Sequence, residues 1–282
     1  MSGERCSEIS LDAGESLTAT AATAERWLLV EVPGSWPRDV SVAGALPPAP
    51  AAAVATWLAE TRGSRLLFIR RLGLSATRLL VFVIHAAESR TEVRRIELEH
   101  FADLADVQFA RDGERTDQQL VLVCGHGTRD PCCSLRGTAV YGALSAHLGD
   151  EELWISSHQG GHRFAANVMV LPAGLQFGRV EPDEAFSVVG RALQGLIELD
   201  RYRGRTCYGT MVQAGERAVR AAGELEAVAD LRLTGVEGPV VRFRGADGLE
   251  HAVQVEEIAG PSVPASCGVE PEIQRAFSAL IV

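Results

Sequence analysis

Residues 120–133 read Leu120-Val-Leu-Val-Cys-Gly-His-Gly-Thr-Arg-Asp-Pro-Cys-Cys133. The opening apolar run predicts a strand that ends on Cys124. Gly125 to Pro131 is turn-forming, and the segment 135–148 predicts a helix. A second strand is predicted at Leu153-Trp-Ile-Ser156, running straight into His158-Gln-Gly-Gly-His162. Thiols at a strand-to-helix turn, followed by two imidazoles four residues apart in a glycine loop, form a candidate metal site. Gly160 and Gly161 let that loop fold tightly enough for both rings to approach one metal.

Working outward, the pattern continues with strands at 166–171 and 175–179, separated by Pro172-Ala-Gly174, and a closing helix at 183–200 whose first turn is acidic, as the helix dipole favours. Upstream, Trp27-Leu-Leu-Val-Glu-Val32 reads as a strand stopped by Pro33-Gly34, and 51–61 as a helix. Strands follow at 65–71 and 78–84, joined by a short loop, with an edge strand at 92–98. Downstream, a helix is expected over 214–229, with strands at 231–234, 240–244 and 251–256. The expected organisation is an N-terminal α/β unit (1–115), a central domain (116–205) and a small α+β segment (206–282). Residues 1–24 read as a polar arm. His85 and His100 read as structural or solvated histidines.

Three motifs carry a family resemblance: Cys124-Gly-His-Gly-Thr-Arg-Asp-Pro-Cys-Cys133, His158-Gln-Gly-Gly-His-Arg-Phe-Ala165 and Leu171-Pro-Ala-Gly-Leu-Gln-Phe-Gly178. They resemble the sucrase/ferredoxin-like family, closely over residues 118–205 and more faintly at Trp27–Trp36 and Ser266-Cys-Gly268. The resemblance implies a thioredoxin-like ferredoxin domain within an α/β chain, and a [2Fe–2S] cluster held by two cysteines and two histidines. Carried over residue by residue, the ligands are Cys124, Cys133, His158 and His162. Cys133 is preferred to Cys132 because Arg136-Gly137 follows, as in the ferredoxin pattern.

Two thiolates and two neutral imidazoles on a [2Fe–2S] core of charge +2 sum to zero. Such a site accepts an electron more readily than an all-cysteine one. The expectation is therefore a non-catalytic electron carrier or redox sensor with proton-coupled one-electron chemistry, because four protein ligands leave no open position for substrate. A structural Cys₂His₂ zinc site uses the same atoms. A thioredoxin-like thiol oxidoreductase is a third reading, although the chain has no Cys-x-x-Cys and adjacent cysteines pair only with strain. His126 reads as a supporting hydrogen-bond partner or a solvated loop residue. Arg129 is expected to pair with Asp130 or to donate to the cluster, and Arg163 and Phe164 to border it. Cys6 reads as a free thiol and Cys132 as a buried or spare one. Cys207 and Cys267 carry no assigned chemistry. No motif singles out a carboxylate pair for sugar hydrolysis.

The chain has 282 residues, 46% of them hydrophobic and 23% charged, which suits a globular protein with an ample core. A net charge of −10 argues against nucleic acid and for docking with a protein partner, expected here to be a redox partner. No apolar run approaches the about 18 residues of a membrane helix, and the N-terminus lacks the apolar core of a secretion signal. The cytosol, where thiols stay reduced, is the expected compartment.

Overall fold

The computed structural model describes residues 5–40, 44–73 and 78–282. The first residues of the expected arm and most of the expected 72–77 loop lie outside the described residues. In chain order the elements are α1 (Cys6–Asp12), β1 (Arg26–Glu31), α2 (Pro48–Glu60), β2 (Ser64–Arg70), β3 (Leu79–Ala87), β4 (Arg90–Leu98), β5 (Glu114–Thr116), β6 (Leu120–Cys124), α3 (Pro131–Leu144), β7 (Leu153–Ser156), β8 (Val168–Leu171), β9 (Leu175–Phe177), α4 (Ala185–Leu193), β10 (Tyr202–Arg205), α5 (Thr210–Gly223), β11 (Leu231–Glu237), β12 (Val240–Gly245), β13 (Glu250–Pro264) and β14 (Pro271–Ile281). This is a mixed α/β architecture, as expected.

Ten strands form one sheet in the order β10-β9-β8-β6-β7-β2-β1-β3-β4-β5. Strands β6 and β7 run parallel, with Cys124 level with Ser156. Antiparallel pairing of Ile69 with Ser156 joins β2 to β7. A single sheet thus carries strands from the first 116 residues and from the metal-site segment. Every residue of β6 is buried, because both faces of this central strand are covered. Val121 and Val123 pack with Val140 and Leu144 of α3 and with Val188 and Val189 of α4. Leu120 and Leu122 pack on the other face with Trp154, Met169 and Trp27.

The four remaining strands form a second, antiparallel sheet, β11-β12-β13-β14, against which α5 lays Val212, Ala214 and Val219. A buried Arg220–Glu216 pair at 3.0 Å, with Tyr202 donating to Glu216 at 2.9 Å, ties α5 back to β10.

Four expectations are corrected. Residues 6–12 are a helix, not a loose arm: Cys6, Ser7 and Ser10 are buried beneath neighbours supplied by distant segments. Strand β4 is not an edge, because the three-residue β5 pairs outside it. The closing helix ends at Leu193 rather than near 200, followed by a turn and strand β10. Strand β14 was not expected; its alternation is broken by exposed apolar residues such as Ile273 and Leu280.

Candidate metal centre

The site sits where β6 ends. Asp130 caps α3 by accepting from the Cys132 amide at 2.8 Å, and Pro131 occupies the first helical turn, where no amide donor is required. Cys133 thereby falls in the first turn, facing the end of β6. The approach of α3 is close: a Cβ at Gly137 would lie 2.0 Å from the Cys124 carbonyl oxygen. This is the physical content of the Arg136-Gly137 signal.

After β7, the chain turns through Gly160 and Gly161, whose φ values of 100° and 71° favour glycine. The turn stacks the His158 and His162 rings, with centroids 3.8 Å apart and planes at 14°. His162 Nδ1 is 3.6 Å from Cys133 Sγ. The ligand atoms of Cys124, Cys133 and His158 all lie within 4.8 Å of one another. The four expected residues are therefore brought together.

The electrostatics suit a cation. Donation by Cys133 holds the Cys124 thiol well below its ordinary range, and the same contact together with burial raises Cys133. Burial pushes His162 down to about 4, which keeps the imidazole neutral and available as a ligand. His158 Nδ1 is buried and has no hydrogen-bond partner among the described residues. An orphaned nitrogen of this kind costs about 1–3 kcal/mol, and a coordinated metal would satisfy it. Two thiols and two imidazoles, one with an orphaned nitrogen, fit a tetrahedral soft metal or a [2Fe–2S] group.

His126 is buried and bonded on both sides. Its Nδ1 accepts from the His158 amide at 3.1 Å, so Nε2 carries the proton donated to the Pro37 carbonyl at 2.9 Å. Of the two expectations for His126, the supporting role is the one observed.

Sequence reasoning missed two supports of the loop. Arg203, buried in β10, donates to the Gly160 carbonyl at 3.0 Å and to Asn167 at 2.6 Å. Asn167 donates in turn to the Gly161 carbonyl at 2.9 Å. The available signal was an arginine in a short strand with no exposed face.

Other expectations are corrected. Arg129 and Asp130 form no ion pair among the described residues. Arg129 instead lines a cavity of about 390 Å³ with Arg38, Arg65, His126 and His158. The Asp130 carboxylate accepts from Ser266 Oγ and from the amides of Cys132 and Cys267, each at 2.8 Å. Arg163 is paired with Glu15 at 2.8 Å and its guanidinium lies over Phe164. Cys6, Cys132 and Cys267 are not isolated thiols: their sulfurs meet at 3.3–3.6 Å. Sequence distances of 126 and 135 residues hid this cluster.

Fold and site together define a mixed α/β protein with a cluster of cysteine and histidine side chains at a strand-to-helix turn. The family described as sucrase/ferredoxin-like matches residues 17–204, two thirds of the sequence, and the chain belongs to that family. It is similar to "Altered inheritance of mitochondria protein 32" of Meyerozyma guilliermondii, 34% identical over 96 residues, covering 30% of this chain and 34% of the relative. The proteins of the same name from Eremothecium gossypii and Debaryomyces hansenii are 33% and 31% identical over 106 and 97 residues. These matches cover 33% and 31% of this chain and 34% and 36% of the relatives. The chain thus spans about a third of the length of the curated relatives it matches. No solved structure gives a significant match.

These names overturn the expected function. The relatives are described by the inheritance of mitochondria, with no mention of iron–sulfur chemistry, electron transfer or redox sensing, and the carrier reading is withdrawn. The physical reason is general: a ligand set nominates a metal, whereas a role depends on what the metal meets. Among the described residues no helix is long and apolar enough to cross a membrane.

Proposed function

We propose that this chain is a metal-centre protein whose ligands are Cys124, Cys133, His158 and His162. The observation that carries the reading is the convergence of ligand atoms of Cys124, Cys133 and His158 within 4.8 Å of one another, on a histidine whose buried Nδ1 has no hydrogen-bond partner among the described residues. The [2Fe–2S] cluster is the group to test first and a single zinc ion the alternative; either group would supply a positive centre that neutralises the two thiolates. The strand order β9-β8-β6-β7, with β6 and β7 parallel and the others antiparallel, supports a thioredoxin-like reading of residues 116–205. All six cysteines are free, which supports a reducing compartment such as the cytosol.

The chain itself performs the holding. Arg203 and Asn167 fix the glycine loop, His126 fixes the His158 amide, and the α3 N-terminus favours the thiolates. The test is metal and acid-labile sulfide analysis of the purified chain beside Cys124→Ala and His158→Ala. Two irons with two sulfides per chain, or one zinc, lost in both variants, support the reading. Metal content unchanged in both variants overturns it.

A further inference from the structure

We propose that Cys6, Cys132, Cys267 and Asp130 form a second metal site, which binds a divalent zinc-type ion and clamps both ends of the chain onto the start of α3. The three sulfurs make a nearly equilateral triangle with sides of 3.6, 3.3 and 3.5 Å. A tetrahedral zinc with bonds of about 2.3 Å to sulfur separates its thiolates by about 3.8 Å, so the triangle is slightly contracted from one face of that tetrahedron. The Asp130 oxygens stand 3.9 and 3.8 Å from Cys6 Sγ, where a fourth ligand belongs. All four ligand atoms lie within 4.8 Å of one another. No pair of sulfurs is near the about 2.05 Å of a disulfide.

The surroundings suit a cation. Asp130 is 1% exposed, Cys6 and Cys132 are fully buried, and among the described residues no cationic side chain pairs with Asp130. A buried carboxylate without a cation is costly unless something compensates it. Here the compensation is partial, from two amides and the Ser266 hydroxyl, while Ser7 Oγ donates to Cys132 Sγ at 3.4 Å. Zinc binding displaces the three thiol protons to solvent and leaves the site with a net charge of about −2, from three thiolates, one carboxylate and the ion. The same donors and the positive end of α3 stabilise that charge. The half-buried Cys267, on the turn between β13 and β14, provides the route of entry.

This centre is separate from the first, because Cys133 turns to His162 while Cys132 turns to Cys267. Its ligands come from α1, the α3 N-terminus and the β13–β14 turn, so the ion closes nearly the whole chain into a loop.

The experiment measures zinc, and cobalt after exchange, in the full chain and in Cys6→Ser, Cys267→Ser, Cys124→Ala and Cys207→Ser. The expected result is one zinc or cobalt equivalent per chain in addition to the metal of the first centre, with thiolate-to-cobalt charge-transfer absorption. That equivalent should be lost in Cys6→Ser and Cys267→Ser and kept in Cys124→Ala and Cys207→Ser. Cys6→Ser and Cys267→Ser should retain the metal of the first centre, so the two sites fail or stand independently. Should either serine variant not fold, alkylation of the wild-type chain replaces it: added zinc should protect Cys6, Cys132 and Cys267 at least tenfold against modification. Metal content unchanged in both serine variants, no protection by zinc, or a disulfide between two of the three cysteines in the native chain overturns the proposal.

Discussion

Cys132 and Cys133 share a peptide bond and serve two different clusters: Cys133 Sγ lies 3.6 Å from His162 Nδ1, and Cys132 Sγ lies 3.3 Å from Cys267 Sγ. Helix geometry requires the divergence, since successive side chains in a first turn point about 100° apart. The pair should therefore respond oppositely. Cys133→Ala is expected to lower the metal of the Cys124 centre more than tenfold, and Cys132→Ala to leave it within twofold. Metal per chain checks this, and the reverse pattern would show that the neighbouring thiol is the ligand.

Gly137 and Gly142 lie on the same helix and should behave in opposite ways. A methyl at Gly137 meets the Cys124 carbonyl oxygen at 2.0 Å, whereas one at Gly142 meets nothing within 4 Å. Gly137→Ala is expected to destabilise by about 3 kcal/mol and to displace Cys133 from the site. Gly142→Ala should stabilise by about 0.5–1 kcal/mol through helix propensity. Urea unfolding midpoints for the two variants decide the matter; equal shifts would mean that α3 does not press on β6.

His126 bridges the Pro37 carbonyl and the His158 amide. Its replacement by alanine leaves both without a partner, at a cost of about 1–3 kcal/mol. Because His158 is then less firmly placed, metal affinity at the first centre should fall about 10–100-fold. Competition with a chelator measures this. A variant with lowered stability but unchanged affinity would make His126 purely structural.

Acid stability should depend on Glu92. Hydrogen bonds from Arg94 and Arg90, helped by the charge of Arg115, hold its carboxyl down to about 2 against an ordinary value of 4.5. A depressed acid contributes stability that is complete above the unfolded value and is lost as pH falls through the folded one. The wild-type chain should lose this contribution between about pH 4.5 and 2, while Glu92→Gln should lack that part of the slope. Denaturation midpoints across this range provide the measurement, and parallel curves would refute the linkage.

Local chemistry was legible in the chain alone. The apolar run into Cys124 and the Gly160-Gly161 turn are short-range signals; they located the end of β6 and singled out four side chains that the fold gathers, whereas α3 starts at Pro131, four residues before the expected 135. In the fold, the unbroken apolar run of β6 is buried on both faces. Tertiary structure alone decided the rest. Nothing near Cys6 or Cys267 announces a partner, because their neighbours are more than a hundred residues away and meet only when α1 and the β13–β14 hairpin dock on α3. Arg203 likewise shows its role only once β10 pairs with β9 and sets it beneath the glycine loop. Sequence patterns report the periodicity and turn chemistry of one segment at a time. Contacts between distant segments depend on how the sheet closes, and that is fixed by the packing of the whole chain.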